Sequence, residues 1–287
     1  TEYIAKEADA SEPFFMYLAL NSPHSPVVPS EEWQGKSGMG AYADFVMETD
    51  FVVGRVLNAL KENGIEDNTL VFFTSDNGCS APVSKAGKLE KEFGHYPSAN
   101  FRGYKSDIWE GGHRIPFIVK WPGVIKPGTT NDQLVCQTSL MATAAQIAGV
   151  ALDDTTGVDS YSMLPMLKNK KNKTGYKLVV NHSINGKFSI RSKKWKLELT
   201  PGSGGWSNPN DNKAIEKGLP AIQLYNMKKD PGETTNLYEK HPKLVKKLTA
   251  ELVRIVENGR STSGAPQKND VSVDIFKANE VKQAAVH

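Results

Sequence analysis

Asp76 and Asn77 set a carboxylate beside an amide carbonyl in Ser75-Asp76-Asn77-Gly78, a stretch whose residue types favour a tight turn. Both are hard oxygen ligands of the kind calcium gathers in groups of about six to eight, so two of them do not make a site. On this tetrapeptide alone the simpler reading is a turn in which Asp and Asn bond their own backbone. A second stretch, from Asn100 to Pro116, packs Arg102, Lys105, His113 and Arg114 among glycines and aromatics. An ammonium and a planar guanidinium suit sulfate or phosphate oxygens, and glycines let a backbone approach a ligand closely. A solvated basic loop paired with Asp107 and Glu110 is the alternative, and the sequence favours neither. The third is His24, with prolines on both sides in Asn21-Ser22-Pro23-His24-Ser25-Pro26. An imidazole there could donate to an anionic oxygen or protonate a leaving group, although an isolated loop histidine is more simply a surface residue.

These residues need elements to hold them. The apolar run 14–20 is bounded by Pro13 and Asn21-Ser22-Pro23, which predicts a strand buried on both faces. Residues 69–74 form a second such run, ending at Asp76, and 115–121 a third, closed by Pro122-Gly123. Between the first two, Tyr42, Phe45, Val46, Val53, Val56, Leu57 and Leu60 recur at helical spacing before Gly64, a C-cap glycine. Residues 138–148 read as another helix, ending before Gly149. Strand, helix, strand, loop, strand, helix is the order of an α/β sheet with crossover helices, which binds ligands at the carboxyl ends of its strands. Asp76 and Asn77 would lie there, and His24 too if its strand is parallel.

The chain has 287 residues, 39% hydrophobic and 23% charged, enough to bury a sizeable core. Its 35 basic and 32 acidic residues are mixed, so no broad field points to nucleic acid or an anionic membrane. No apolar run reaches the roughly 18 residues of a membrane helix. The first residues lack the features of a signal peptide, so the export signal of an exported parent protein would lie upstream. Cys79 and Cys136 are too few for a disulfide framework and lack metal-ligand spacing. Composition predicts a first domain over 1–167, a basic polar linker over 168–176 and a smaller antiparallel domain over 177–287. The last would hold strands at 177–181, 188–191 and 195–199, a flexible loop at Pro201-Gly202-Ser203-Gly204-Gly205-Trp206, and a helix over 241–256. Leu244, Val245, Leu248, Leu252 and Ile255 form one face of that helix. From Gly259 the chain reads as a polar tail, weakly ordered or laid along the surface.

Taken in order, these segments resemble the type I sulfatase family of the alkaline-phosphatase-like superfamily. The likeness is carried by Pro23-His24-Ser25-Pro26 after an apolar run, Val53-Gly54-Arg55-Val56-Leu57 and Thr74-Ser75-Asp76-Asn77-Gly78. Phe101-Arg102-Gly103-Tyr104-Lys105, Glu110-Gly111-Gly112-His113-Arg114-Ile115-Pro116-Phe117 and Trp121-Pro122-Gly123 follow. Further on come Gln223-Leu224-Tyr225-Asn226 and Asp230-Pro231-Gly232-Glu233-Thr234-Thr235-Asn236-Leu237. The resemblance implies an α/β fold: part of an alkaline-phosphatase-like mixed sheet flanked by helices, followed by a small antiparallel C-terminal subdomain with a packing helix. It implies Asp76 and Asn77 as calcium ligands, Lys105 as a sulfate-oxygen contact and His24 as a contact near the scissile ester oxygen. Such enzymes attack with a formylglycine made from Cys or Ser in Cys/Ser-X-Pro/Ala-X-Arg, and no stretch of this sequence fits that motif.

The reading is therefore of the C-terminal part of a sulfatase, whose N-terminal half would hold the nucleophile and the remaining calcium ligands. Alone, this part is expected neither to turn over sulfate esters nor to bind calcium tightly. A sulfated carbohydrate is the expected substrate, with His95 and Arg102 as contacts and Trp206 either stacking on a sugar face or anchoring the small domain. By family analogy the protein is periplasmic or secreted. Two other readings stand beside it: a phosphodiesterase or phosphonate-ester hydrolase of the same superfamily, and a non-catalytic module that binds sulfated glycans.

Overall fold

A computed structural model describes residues 1–169, 171, 173 and 175–286. Within the predicted linker, Lys170, Asn172 and Thr174 lie outside the described residues. The chain divides into two compact units, one of residues 1–99 and 115–128, the other of 100–114 and 129–287. Among the described residues no helix is long and apolar enough to cross a membrane.

The first unit holds helices α1 (Glu2–Ala8), α2 (Ala41–Glu62), α3 (Ala81–Ser84) and α4 (Ala86–Phe93), and strands β1 (Val71–Thr74) and β2 (Phe117–Lys120). Ile4, Ala59 and Leu60 form its core, with Phe14, Val56, Ile65 and Val71 packed against them. Gly64 ends α2 as its position predicts. At φ 68° it lets its own N–H reach Lys61 O and the N–H of Ile65 reach Leu60 O, both at 3.0 Å. Two carbonyls at the helix end are thereby satisfied, and Ile65 folds back onto the core around Leu60.

Two expectations fail in this unit. β1 and β2 pair antiparallel, Val71 opposite Lys120 and Thr74 opposite Phe117, so the parallel crossover arrangement is absent among the described residues. The run 14–20 forms no strand and belongs to no sheet, and Phe15 and Tyr17 are 77% and 81% exposed. A strand buried on both faces needs ladder partners at its edges and apolar cover above and below. Neither is supplied here, and only Phe14 packs against the core.

The second unit contains α5 (Glu110–His113), α6 (Ser139–Ile147), α7 (Leu164–Lys168), α8 (Asp211–Glu216), α9 (Pro242–Glu257) and α10 (Asn279–Val286). Its sheet is an antiparallel meander of β3 (Val179–His182), β4 (Phe188–Arg191), β5 (Trp195–Glu198) and β6 (Gln223–Asn226), in that order. Strand alternation gives the sheet two unlike faces. Ile190, Leu197 and Leu224 lie on one, in a core with Val245, Leu248, Leu252 and Ile255 of α9. The other presents Arg191, Lys196, Glu198, Gln223 and Tyr225, which sequence patterning would leave to water. All five are buried.

Two further corrections belong to this unit. The tail beyond Gly259 is mostly exposed but not merely laid along the surface: Ile275, Val281 and Ala285 join the α9 core, the last two from α10. The glycine-rich loop at 201–205 is buried rather than flexible. A Cβ on Gly202 would lie 2.7 Å from the backbone of Asn210, and one on Gly205 2.5 Å from Ser106 O, so these glycines permit close chain packing.

Candidate functional site

Asp76 and Asn77 follow β1 directly, in the first unit. The Ser75 hydroxyl donates to Asp76 Oδ1 at 3.4 Å, and Asn77 Nδ2 donates to Gly78 O at 2.9 Å. The Asn77 amide is thus oriented with its nitrogen engaged and its carbonyl oxygen left as an acceptor. His24 is exposed in the same unit, with Nδ1 2.9 Å from Ser25 O. His95 is also exposed, just past Gly94 at the end of α4.

Arg102 and Lys105 belong to the second unit, in a segment that covers the polar face of the β3–β6 sheet. Trp109 Nε1 donates to Gln223 Oε1 at 3.2 Å, and Arg102 Nη1 donates to Tyr225 Oη at 3.3 Å and to Glu233 O at 2.9 Å. The Arg102 guanidinium also lies 3.7 Å from the Trp109 ring centre, so much of its bonding capacity is engaged within the protein.

Asp107 fixes the part of the segment that carries Lys105. Its Oδ2 accepts the N–H of Tyr104 at 2.9 Å, while Oδ1 accepts those of Trp206 and Ser207, both at 3.0 Å. One buried carboxylate thereby ties the Lys105 turn to the turn bearing Trp206. Trp206 is 57% exposed, which excludes the core-anchor reading. Lys105 is half-buried and pairs with no carboxylate among the described residues. The alternative of a basic loop neutralised by Asp107 and Glu110 therefore does not hold for Lys105: Asp107 is satisfied by backbone, and Glu110 by other cations.

Those cations form a buried charge cluster. Lys196, with 0% of its side chain exposed, has its Nζ 2.8 Å from Glu233 Oε1, 3.0 Å from Glu198 Oε1 and 3.3 Å from Glu110 Oε1. It donates in addition to Ile108 O at 2.8 Å. Arg191 and Arg114 reach Glu110 from its other sides, at 3.1 and 3.0 Å. Glu233 takes φ 53°, an unusual left-handed backbone for a residue with a Cβ. It is held there by Lys196 on Oε1 and by the N–H of Glu110 on Oε2 at 2.7 Å.

Burial would raise the Glu110 carboxyl, but Lys196, Arg191 and Arg114 outweigh it and hold it at about 2. Burial would lower the Lys196 ammonium, yet Glu233, Glu198 and Glu110 keep it above its ordinary value. Glu198 goes the other way. Burial, followed by the nearby charge of Glu233, raises it well above the usual carboxylate range despite Lys196. His113 is pushed down to about 3, first by burial and then by the charge of Lys196. Sequence reasoning did not assign roles to Lys196, Glu198 or Glu233. The available signal was charge at alternate positions, Lys196 and Glu198, within an otherwise apolar strand.

The glycines of the segment also test this packing. A Cβ on Gly111 would sit 2.0 Å from Gly103 O, in backbone rather than flexible side chain. Gly111→Ala should therefore destabilise the second unit by roughly 1–3 kcal/mol, as overpacking does, measured by urea unfolding followed by circular dichroism. Unchanged stability would show that the segment does not pack this tightly.

The sulfatase family model matches residues 1–150, and that of the N-sulphoglucosamine sulphohydrolase C-terminal region matches 104–200. The chain belongs to the sulfatase family. It is similar to an N-acetylgalactosamine-6-O-sulfatase of Bacteroides thetaiotaomicron, 33% identical over 86% of this chain and 47% of that protein. It is also similar to human arylsulfatase D, 28% identical over 92% of this chain and 47% of that protein. A solved structure concerned with the metabolism of multiple glycosaminoglycans by Bacteroides thetaiotaomicron superposes with a TM-score of 0.76 at 30% identity. It covers 88% of this chain and 52% of that one. The sulfatase chain thus spans about half the length of the relatives it matches.

Sulfatases as a family use calcium and a formylglycine. Asp76 and Asn77 fit calcium in kind, as hard oxygen ligands, but not in number, since the ion takes about six to eight oxygens. Among the described residues, no group of three or more His, Cys, Asp and Glu side chains is placed to hold a metal. Cys79 is followed by Ser80-Ala81-Pro82-Val83 and Cys136 by Gln137-Thr138-Ser139-Leu140, so neither stands in the sequence that becomes formylglycine.

Proposed function

We propose that this chain supplies part of the ester-binding site of a sulfatase acting on a sulfated carbohydrate. The observation that carries this reading is the Asp107 carboxylate, which fixes together the turns of an exposed Trp206 and of Lys105, unpaired among the described residues. A fixed ammonium stabilises charge on a sulfuryl oxygen as the S–O bond breaks, and an indole face packs on the apolar face of a sugar ring. Support for the carbohydrate comes from the relative named as an N-acetylgalactosamine-6-O-sulfatase and from the glycosaminoglycan context of the similar structure.

In this reading Lys105 holds the sulfate and His24 protonates the departing alcohol oxygen. His95 and Arg102 contact the substrate. Asp76 and Asn77 give calcium two of its oxygens, and the ion would further neutralise the sulfuryl oxygens. A formylglycine-bearing N-terminal half as partner, a periplasmic or secreted location, and division into domain 1–167, linker 168–176 and subdomain 177–287 belong to the same proposal.

The test uses the 287-residue chain and an enzyme that joins it to a formylglycine-bearing half. The chain alone should give no sulfate release from a sulfated saccharide. In the joined enzyme, Lys105→Ala should lower kcat/KM about 10²-fold or more, the scale of a lost transition-state charge contact. Turnover by the chain alone, or a joined enzyme indifferent to Lys105, would overturn the assignment.

A further inference from the structure

A groove lies in the second unit, where β5 meets β6 and the turn after β6 passes. It encloses about 530 Å³, and Trp195, Asn226, Lys194, Lys229, Thr235 and His241 are among the residues that line it. Trp195 and Asn226 are cross-strand partners, which fixes an indole beside an amide. The His241 ring meets Trp195 edge to face at 4.9 Å and holds the indole from the side of α9. Lys194 Nζ lies 5.1 Å from the Trp195 ring centre.

The groove's hydrogen-bonding groups are unevenly used. Its one carboxylate, Asp230, is saturated: Oδ1 accepts the Thr234 hydroxyl at 2.9 Å, and Oδ2 accepts the N–H groups of Thr234 and Thr235 at 2.9 and 2.8 Å. The donors are open. Neither Lys194 nor Lys229 pairs with a carboxylate among the described residues, and the Trp195 indole N–H has no hydrogen-bond acceptor there. Asn226 is only 9% exposed, and its Oδ1 accepts the N–H of Lys228 at 3.3 Å while its amide nitrogen has no partner among the described residues. That nitrogen keeps some exposure to solvent, so it is free to donate to a ligand entering the groove.

We propose that this groove binds an acidic saccharide, with Lys194 and Lys229 on its sulfate or carboxylate group, Asn226 and Thr235 on its hydroxyls, and Trp195 against the ring. The volume falls within the roughly 300–1,000 Å³ of small-ligand sites, and charged donors around an aromatic suit an anionic sugar better than an apolar ligand. The site uses none of the residues assigned to ester cleavage, and it stands whether or not that reading does.

The test is titration of the 287-residue chain with a sulfated, uronate-containing tetrasaccharide, its desulfated counterpart, a neutral glucose tetrasaccharide and inorganic sulfate. Calorimetry gives the affinity, and the indole N–H resonance missing from Trp195→Phe reports the site. Both acidic tetrasaccharides should shift that resonance, the sulfated one showing whether sulfate adds to carboxylate. The neutral sugar and inorganic sulfate should bind at least tenfold more weakly. Lys194→Gln with Lys229→Gln should weaken acidic-saccharide binding about tenfold or more, the size expected for losing charge-assisted hydrogen bonds. Both lysines are exposed, so this variant should keep the fold, which circular dichroism checks. Binding unchanged in the double variant, binding lost in Lys105→Ala instead, inorganic sulfate matching the saccharides, or no acidic saccharide binding would each overturn the proposal.

Discussion

Lys196→Met should lower the unfolding free energy of the second unit by about 3–5 kcal/mol, the cost of breaking a buried ion pair from one side. Methionine keeps most of the side chain's length and bulk, so the loss would arise from charge rather than from a cavity. Glu233 and Glu110, each within 3.3 Å of the ammonium, would remain in a site without water to solvate them. Glu110 would retain Arg191 and Arg114, whereas Glu233 would lose the one cation among the described residues within ion-pair distance. Adding Glu233→Gln to Lys196→Met should therefore recover a substantial part of the loss, because the amide needs no counter-charge. Urea denaturation of the two variants beside the parent chain measures both quantities. If Lys196→Met costs under about 1 kcal/mol, the range of an exposed pair, the cluster is hydrated and does not hold the Lys105 segment down.

How far the sequence revealed this arrangement follows from which forces leave a local mark. Helix α2 and its end were legible because apolar spacing and the glycine at 64 act over a few residues. β3, β4, β5 and α9 were legible for the same reason. The run 14–20 misled because apolarity reports a tendency toward burial but not which partner provides it. The tail was misread because Ile275, Val281 and Ala285 are sparse among polar residues, and their burial is decided by α9. At the candidate site, Lys105 and Asp76-Asn77 stood out through residue type and motif. The groups that fix the Lys105 segment did not. Glu110 and Glu233 are 123 positions apart and meet through a backbone N–H. No periodicity reports a contact of that range.

The same cluster gives unit two an acid sensitivity whose sign can be worked out. His113 titrates near 6.5 when unfolded and is held at about 3 in the fold, facing Lys196 of β5, Glu110 of α5 and His182 of β3. Between those values the unfolded chain binds a proton that the folded one does not, so the His113 contribution falls as pH drops below about 6.5. The slope approaches ~1.4 kcal/mol per pH unit, or about 2 kcal/mol by pH 5. Glu198 opposes it: its raised value means that the fold holds a proton which the unfolded chain loses above 4.5, favouring the fold as pH falls. Glu110, held at about 2, adds a loss of stability only below 4.5. Glu198 thus works against the His113 contribution in the parent chain. His113→Leu removes the His113 contribution, along with a buried Nε2 that has no hydrogen-bond partner among the described residues. Relative to the parent chain it should gain about 2 kcal/mol on going from pH 7 to pH 5, measured as urea midpoints at the two pH values. Parallel pH profiles for the two proteins would mean that His113 can take up a proton in the folded chain, and that the polar face of the sheet is open to water rather than sealed by the segment carrying Lys105.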